Sequence, residues 1–391
     1  MQTLLIALGA TFLQQTLVAL SRALPAVLAP AIIADRGFDP AWVGIFFGIS
    51  AAAALAGQLG CGSFIVRYGA LRMCQVALAA TAAASAVACL GTAAAFAVSA
   101  IVSGIGAAAS TPASSHLLGR VSPPKQAPLV FSLKQTAVPA GLLLGGTLGP
   151  WLTGLSGWEG AMLATALVSA VYVAMMQPLR ARYDDDRVPS RAIRVSDFAA
   201  TVRAVLRTSE LRTMCHACLA FNGVQATVTA YFVVYLTTLG YSLVAAGYLF
   251  SVAVAVAVPG RILWGWVGSG FVPPRMVLCG LAFGMAAGCL GAALFAPGWP
   301  VAAVLGVAGV ISATALSWHG VLLAETARAA PDGMRGGVTG GVLSFGQFGA
   351  LTAPIIFSAL LAATGSYAVG FAALAVPSLF VGVALWRVRG A

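Results

Sequence analysis

Residues 62–72 read Gly62-Ser63-Phe64-Ile65-Val66-Arg67-Tyr68-Gly69-Ala70-Leu71-Arg72, and 203 positions later Gly265-Trp266-Val267-Gly268-Ser269-Gly270-Phe271 opens a stretch ending at Arg275. Each follows a long apolar run and closes on a basic residue. Gly44 and Gly247 are separated by the same 203 positions. Further on, Arg120-Val-Ser-Pro123 matches Arg328-Ala-Ala-Pro331 at an offset of 208, and Phe131-Ser-Leu-Lys-Gln135 matches Leu343-Ser-Phe-Gly-Gln347 at 212. A slowly growing offset is what loop insertions leave in a duplicated unit.

The runs around these repeats set the class. Of 391 residues 60% are hydrophobic and 8% charged, with a mean hydropathy of +0.96. A soluble domain carries roughly 25% charged residues, so this chain could not clothe a surface facing water. Apolar stretches of about 20 residues suit a hydrocarbon layer roughly 30 Å thick. The alternating segments of about 10 residues expected of a β-barrel are absent. The reading is an all-α polytopic membrane protein with twelve helical spans. Six are expected at 4–33, 42–66, 73–91, 96–118, 128–152 and 161–178, and six at 213–239, 244–268, 276–295, 301–323, 336–363 and 367–386. The N-terminus has no basic leader or cleavage site, so its first segment is taken as a retained span.

Positive charge orients the spans. With both termini cytoplasmic, seventeen basic residues fall on inner connections and one, Arg36, outside. The net charge of +11 therefore reports topology rather than nucleic-acid binding. The polar interval divides the chain into a six-helix bundle at 1–179, a linker at 180–212 and a second bundle at 213–391. Within the linker Phe198, Val202, Val205 and Leu206 recur at helical spacing, with Arg203 and Arg207 between them, as in an amphipathic helix on the inner leaflet.

Two parallel six-span repeats with these inter-span glycines and arginines resemble the major facilitator superfamily of secondary transporters. The family signature is Gly, three residues, Asp, a basic residue, any residue, Gly, then basic residues. Gly62, Arg67, Gly69 and Arg72 fit it, as do Gly265 and Arg275 in the second copy, and the resemblance makes these gating residues. Val66 and Ser269 stand at the acidic positions. In the family that acid helps latch the cytoplasmic side, so the resemblance implies a gate here that relies on packing and other hydrogen bonds.

Three basic residues remain inside the spans: Arg22, Lys134 and Arg261. Each costs roughly 2.5–3.5 kcal/mol at the centre of a lipid-facing helix. Lys134 and Arg261 lie about seven residues from an inner span end, roughly 10 Å, where snorkelling to the interface is one outcome. All ten acids fall outside the apolar stretches: Asp35, Asp39 and Glu159 on the outer side, and Asp184, Asp185, Asp186, Asp197, Glu210, Glu325 and Asp332 on the inner. No carboxylate is at hand to neutralise the buried cations. A negatively charged substrate is the economical counterpart, and an electropositive cavity repels cationic solutes. Gly346 is the repeat partner of Lys134, so the duplicated scaffold does not itself need a cation there.

Arg261-Ile-Leu-Trp-Gly265 also resembles the eighth-helix stretch of monocarboxylate and oxalate transporters. That resemblance implies a guanidinium that grips a substrate carboxylate. Ala257 stands where monocarboxylate transporters carry an Asp, and their first-helix signature is missing. Gln15 on the first span, Asn222 and Gln225 on the seventh, and the pseudo-equivalent Gln135 and Gln347 supply a polar lining. Thr11, Gln15 and Arg22 share one face of the first helix, and Asn222, Gln225 and Thr229 share one face of the seventh. His319 is the candidate to carry a coupling proton.

The pattern Cys215-His216-Ala217-Cys218 lacks a second ligand pair, so no metal is expected. No phosphate loop, nucleophile triad or nucleotide-binding signature appears, which predicts a cofactor-free, gradient-driven carrier and not an enzyme. Its expected partners are a small organic anion, with a carboxylate as the expected chemistry, imported or exported with a proton or a counter-anion, and the lipid bilayer of the inner membrane; a monomer is expected. The alternative is a drug or sugar exporter of the same superfamily whose buried cations are structural.

Overall fold

A computed structural model describes residues 2–38, 42–193, 196–241 and 243–387. Asp39, Arg194 and Arg389 lie outside the described residues, as do the side chains of Asp197 and Phe198. The described residues are mostly helical, with no strand among them. In order run α1 (Gln2–Val27), α2 (Ala29–Arg36), α3 (Trp42–Tyr68), α4 (Ala70–Ala88), α5 (Ala93–Ala108), α6 (Ser110–Val121), α7 (Ala127–Gln135), α8 (Ala137–Met175), α9 (Arg180–Tyr183) and α10 (Ser196–Arg207). There follow α11 (Ser209–Thr238), α12 (Leu243–Gly270), α13 (Pro274–Ala293), α14 (Val301–Ala315), α15 (His319–Ala329), α16 (Arg335–Thr364) and α17 (Tyr367–Arg387).

Ten described stretches are long and apolar enough to cross a membrane. One of them, Pro124–Tyr183, is 60 residues long and holds two spans. Its helix α8 turns at Ser156 and Gly157, where Gly157 has φ 73°. With α11, a helix of 30 residues, the fold is that of twelve spans.

The residues gather into two compact units. One comprises Met1–Ser122, Lys134–Ala204 and Ala330–Gly341; the other comprises Pro123–Leu133, Val205–Ala329 and Val342–Ala391. The first unit has its core in Leu17, Leu20, Leu24, Phe46, Leu78, Phe96, Trp158 and Met162. Lipid offers no hydrophobic gain for bringing helices together, so small residues and close packing must hold them. Gly141, Gly145 and Gly149 form such a stripe on α8. A Cβ at Gly141 would strike the main-chain oxygen of Thr16, and one at Gly149 would sit 3.1 Å from Leu24 Cδ2. The stripe thus seats α1 directly on α8.

Charged residues close both ends of this unit. At one end Arg36 pairs with Glu159 (2.6 Å) and Asp35 (2.8 Å), and Trp158 donates to Asp35. At the other, the segment after α9 folds back over several helix ends. Both Asp184 carboxylate oxygens accept main-chain N–H groups at the start of α4, from Leu71 (2.7 Å) and Arg72 (3.1 Å). A carboxylate is favourable at a helix N-terminus. It can approach because Gly69, at φ 97°, presents no side chain to it. Arg120 pairs with Asp185 (2.6 Å) and Asp186 (2.5 Å), and His116 Nε2 lies 2.7 Å from Asp186 Oδ2. Val188 donates to Val66 O, and Arg67 Nη1 donates to Arg191 O.

The linker helix α10 buries Thr201 and Val205, while Val202 is half-buried and Leu206, Arg203 and Arg207 are exposed. Its inward face is therefore narrower than the spacing of apolar residues suggests.

Candidate functional site

Two interrupted helices build the polar centre of the first unit. The span of α5 and α6 breaks at Ala109, and that of α7 and α8 breaks at Thr136. In each case a proline follows three residues later, Pro112 and Pro139. Proline has no N–H to donate, and its ring clashes with the carbonyl four residues back, so a straight helix cannot continue. The breaks place Ser110 and Thr111 on one span, and Lys134 and Gln135 on the other, beside the polar run Gln14-Gln15 of α1.

Lys134 is 1% exposed. Its Nζ donates to Gln135 Oε1 (3.0 Å) and Gln15 Oε1 (3.2 Å). It therefore does not snorkel to the interface. Gln15 Oε1 also accepts from Ser110 Oγ (2.7 Å) and Thr111 Oγ1 (3.4 Å). Ser110 Oγ lies 3.1 Å from Gln14 Oε1, and Gln14 Nε2 donates to Cys74 O (3.1 Å). An ammonium has three N–H groups and an amide oxygen two lone pairs. Three donors thus converge on Gln15 Oε1, while Lys134 keeps one N–H without a described acceptor and makes no ion pair among the described residues. The cluster is rich in donors, positively charged and short of acceptors.

Arg22 is half-buried and has no partner among the described residues. It stands seven residues beyond Gln15 on the same face of α1, about 10 Å along the axis.

The second unit treats its cation differently. Arg261, 6% exposed on α12, donates from Nε to Leu316 O (2.8 Å). Leu316 lies in the break between α14 and α15, where a carbonyl is released from the helical ladder. The same seam is stitched by Trp264 Nε1 to Ala313 O (2.6 Å), Ser317 Oγ to Ala257 O (3.2 Å) and Ser312 Oγ to Ala253 O. Arg261 is one of four side chains that tie α12 to α14 and the following break.

The remaining lining residues separate in the same way. Asn222 donates to Gly346 O (2.8 Å), and Gln225 Oε1 accepts from Trp318 Nε1 (3.2 Å). Gln347 is half-buried with no partner among the described residues. His319 is half-buried and stacks on Trp318, ring centroids 3.7 Å apart.

At the signature loops, Gly62 lies against the backbone of Gly337 at the start of α16, and Gly265 against Pro128 O and Ser132. Ser269, at the acidic position of the second copy, accepts the N–H of Leu129 in the first turn of α7 (3.0 Å). Arg275 is half-buried, and its Nε and Nη2 have no hydrogen-bond partner among the described residues. Among the described residues no group of three or more His, Cys, Asp or Glu could hold a metal.

Sequence reading missed Gln14, Ser110 and Asp184. The polar run Ser110-Thr111-Pro112 inside an apolar span was the available signal for the second of these. Asp184 gave none, because it caps a helix 113 positions away.

The family model of the Major Facilitator Superfamily matches residues 11–340. No curated protein matches the chain. Among solved structures, it is similar to the human organic anion transporter MFSD10 (TETRAN), at 18% identity and a TM-score of 0.80 over 97% of this chain and 98% of that one. It is also similar to the E. coli fucose:proton symporter FucP, at 15% identity and a TM-score of 0.76 over 98% and 99%. A bacterial homologue of the iron transporter ferroportin, in an outward-facing state, aligns at 13% identity with a TM-score of 0.80 over 98% and 100%. At these identities the likeness shows the fold alone.

Proposed function

Because the chain belongs to the Major Facilitator Superfamily it is a membrane transporter and not an enzyme, and we propose that its cargo is a small organic anion recognised through a carboxylate. One observation carries the reading: Lys134 is buried among amide oxygens, and Gln15 Oε1 is shared by three donors. A carboxylate brings a negative charge and about four lone-pair sites to a cluster that lacks both. It would take the remaining Lys134 N–H and relieve the crowding at Gln15, and Arg22 would supply a second cation on the same helix face.

In this reading Lys134, Arg22, Gln15 and Gln135 form the recognition site, and alternating access by a rocker-switch moves the anion. Arg261 has its Nε committed to Leu316 O, so its main part is to hold the helix break open in a fixed shape. Asn222, Gln225 and Gln347 belong to the polar surface of the other unit. His319 is the group proposed to carry a coupling proton, with counter-anion exchange as the other mode. Positive charge on the connections argues for the inner membrane with cytoplasmic termini.

The test is a thermal-shift screen of the purified protein against organic anions, followed by uptake into proteoliposomes. Anions that bind the folded state raise the unfolding temperature by mass action. Carboxylates should do so in the wild type and fail to in Lys134→Met. Stabilisation by neutral sugars or cationic drugs, with no response to carboxylates, would overturn the reading and favour the exporter.

A further inference from the structure

We propose that the groove between α11 and α17 in the second unit is a binding site for an anionic phospholipid. The groove, of about 700 Å³, is headed by Arg212 and Arg387, with Ser209 beside them. Both arginines are exposed, and neither guanidinium has a hydrogen bond or ion pair to any described residue. This sets them apart from Arg36, Arg120, Arg180 and Arg328, each of which is matched to a carboxylate. The neighbouring acid on α11, Glu210, is held by Arg328 (3.1 Å). No acidic residue occurs on α17. Two guanidinium groups from separate helices thus line one groove with no carboxylate paired to them among the described residues.

Below the arginines the wall is apolar and open. Val376, Leu379, Phe380 and Val383 recur at helical spacing on one face of α17, exposed by 62%, 40%, 64% and 41%. From Val376 to Arg387 the helix rises about 16 Å, close to half of a hydrocarbon layer roughly 30 Å thick. The groove therefore offers charge at the depth of a headgroup and a greasy track at the depth of an acyl chain. A phosphodiester is the anion that arrives attached to such a chain. Guanidinium forks bind phosphate oxygens in pairs, and exposed Trp386 beside Arg387 is a residue typical of the membrane interface.

The test is native mass spectrometry of the full chain released from detergent with phosphatidylglycerol or phosphatidylcholine of identical acyl chains. The unaltered protein is expected to retain phosphatidylglycerol and not phosphatidylcholine. Arg212→Gln with Arg387→Gln should bind phosphatidylglycerol about thirtyfold more weakly, and Arg212→Lys with Arg387→Lys should keep the headgroup preference. Equal retention of the two lipids by the unaltered chain would overturn the proposal, and that comparison stands whether or not the glutamine variant folds. Undiminished phosphatidylglycerol binding in a folded glutamine variant would overturn it as well.

Discussion

Lys134 in the first unit and Arg261 in the second pose the same problem, a cation deep in an apolar bundle, and the two units answer it differently. Lys134 donates to two side-chain amides, one of which, Gln15, also accepts from hydroxyls. Arg261 rests on a main-chain carbonyl that a helix break had already left without a donor. The second arrangement completes the backbone's own hydrogen bonding, and removing it exposes a deficit. The first completes nothing; it gathers donors around an excess of charge. On the proposed reading, a charge that serves the scaffold and a charge that awaits a ligand are told apart by which side of the contact would be left wanting.

The largest expected effect follows from Lys134→Met. Losing one partner of a buried charge pair costs about 2–5 kcal/mol of binding, so carboxylate uptake into proteoliposomes should fall at least about thirtyfold. Its unfolding temperature should hold or rise, since an uncompensated charge has gone. A lower unfolding temperature with uptake intact would break the contrast.

Arg261→Met should behave in the opposite way. It leaves Leu316 O buried without its donor, a cost of about 1–3 kcal/mol, read as a lower unfolding temperature. Uptake per folded molecule should change far less than in Lys134→Met. If it collapses equally, the terminal nitrogens of Arg261 serve the cargo too, and the distinction between the units narrows.

Asp186 extends the comparison to the charged end of the first unit. Burial raises its carboxyl, but the hydrogen bond with His116 and the charges of His116 and Arg120 outweigh this and hold it below its ordinary value. A depressed carboxyl stabilises the fold above its unfolded value, and that contribution disappears as pH falls through the folded one. Asp186→Asn should therefore be less stable than wild type by about 1 kcal/mol at pH 7, given its partial exposure. The difference should fade below about pH 4. A gap that persists unchanged in acid would show that the charge is not what matters.

The smallest effect is expected from Ser269→Ala. Removing a hydroxyl that accepts from the first turn of a helix costs about 0.5–1 kcal/mol. Calorimetric unfolding of the variant would detect it, and an unchanged midpoint would show that α7 does not depend on the cap.

Much of this was readable from the chain alone, and the reason differs from place to place. The twelve spans follow from runs of apolar residues, a property each segment carries by itself. Gly141, Gly145 and Gly149 recur at every fourth position, a spacing that lets helices pack closely, and α1 occupies the face they form. Lys134, Gln15 and Gln135 were legible as odd residues in an apolar matrix, and Lys134 donates to both glutamines. The break at Leu316 was not legible, since no proline marks it, and so the carbonyl waiting for Arg261 could not be foreseen. Asp184 was equally hidden. As a linker residue it counted only toward charge balance, yet it supplies an acid to the start of α4, immediately after a signature loop that has Val66 where the family has one.

The glycine stripe on α8 has a bearing on how such a carrier could work. With α1 pressed onto α8 at Gly141 and Gly149, the two helices would travel as a single beam in the proposed cycle. Gln15 is fixed to one side of that beam, and Lys134 to the short helix at its foot. In the proposed carrier the gap between them is expected to keep its width, as a jaw cut from one piece of metal does however the tool is turned. A change of affinity between the two faces of the membrane would then come from when water is admitted to the jaw, and not from its opening.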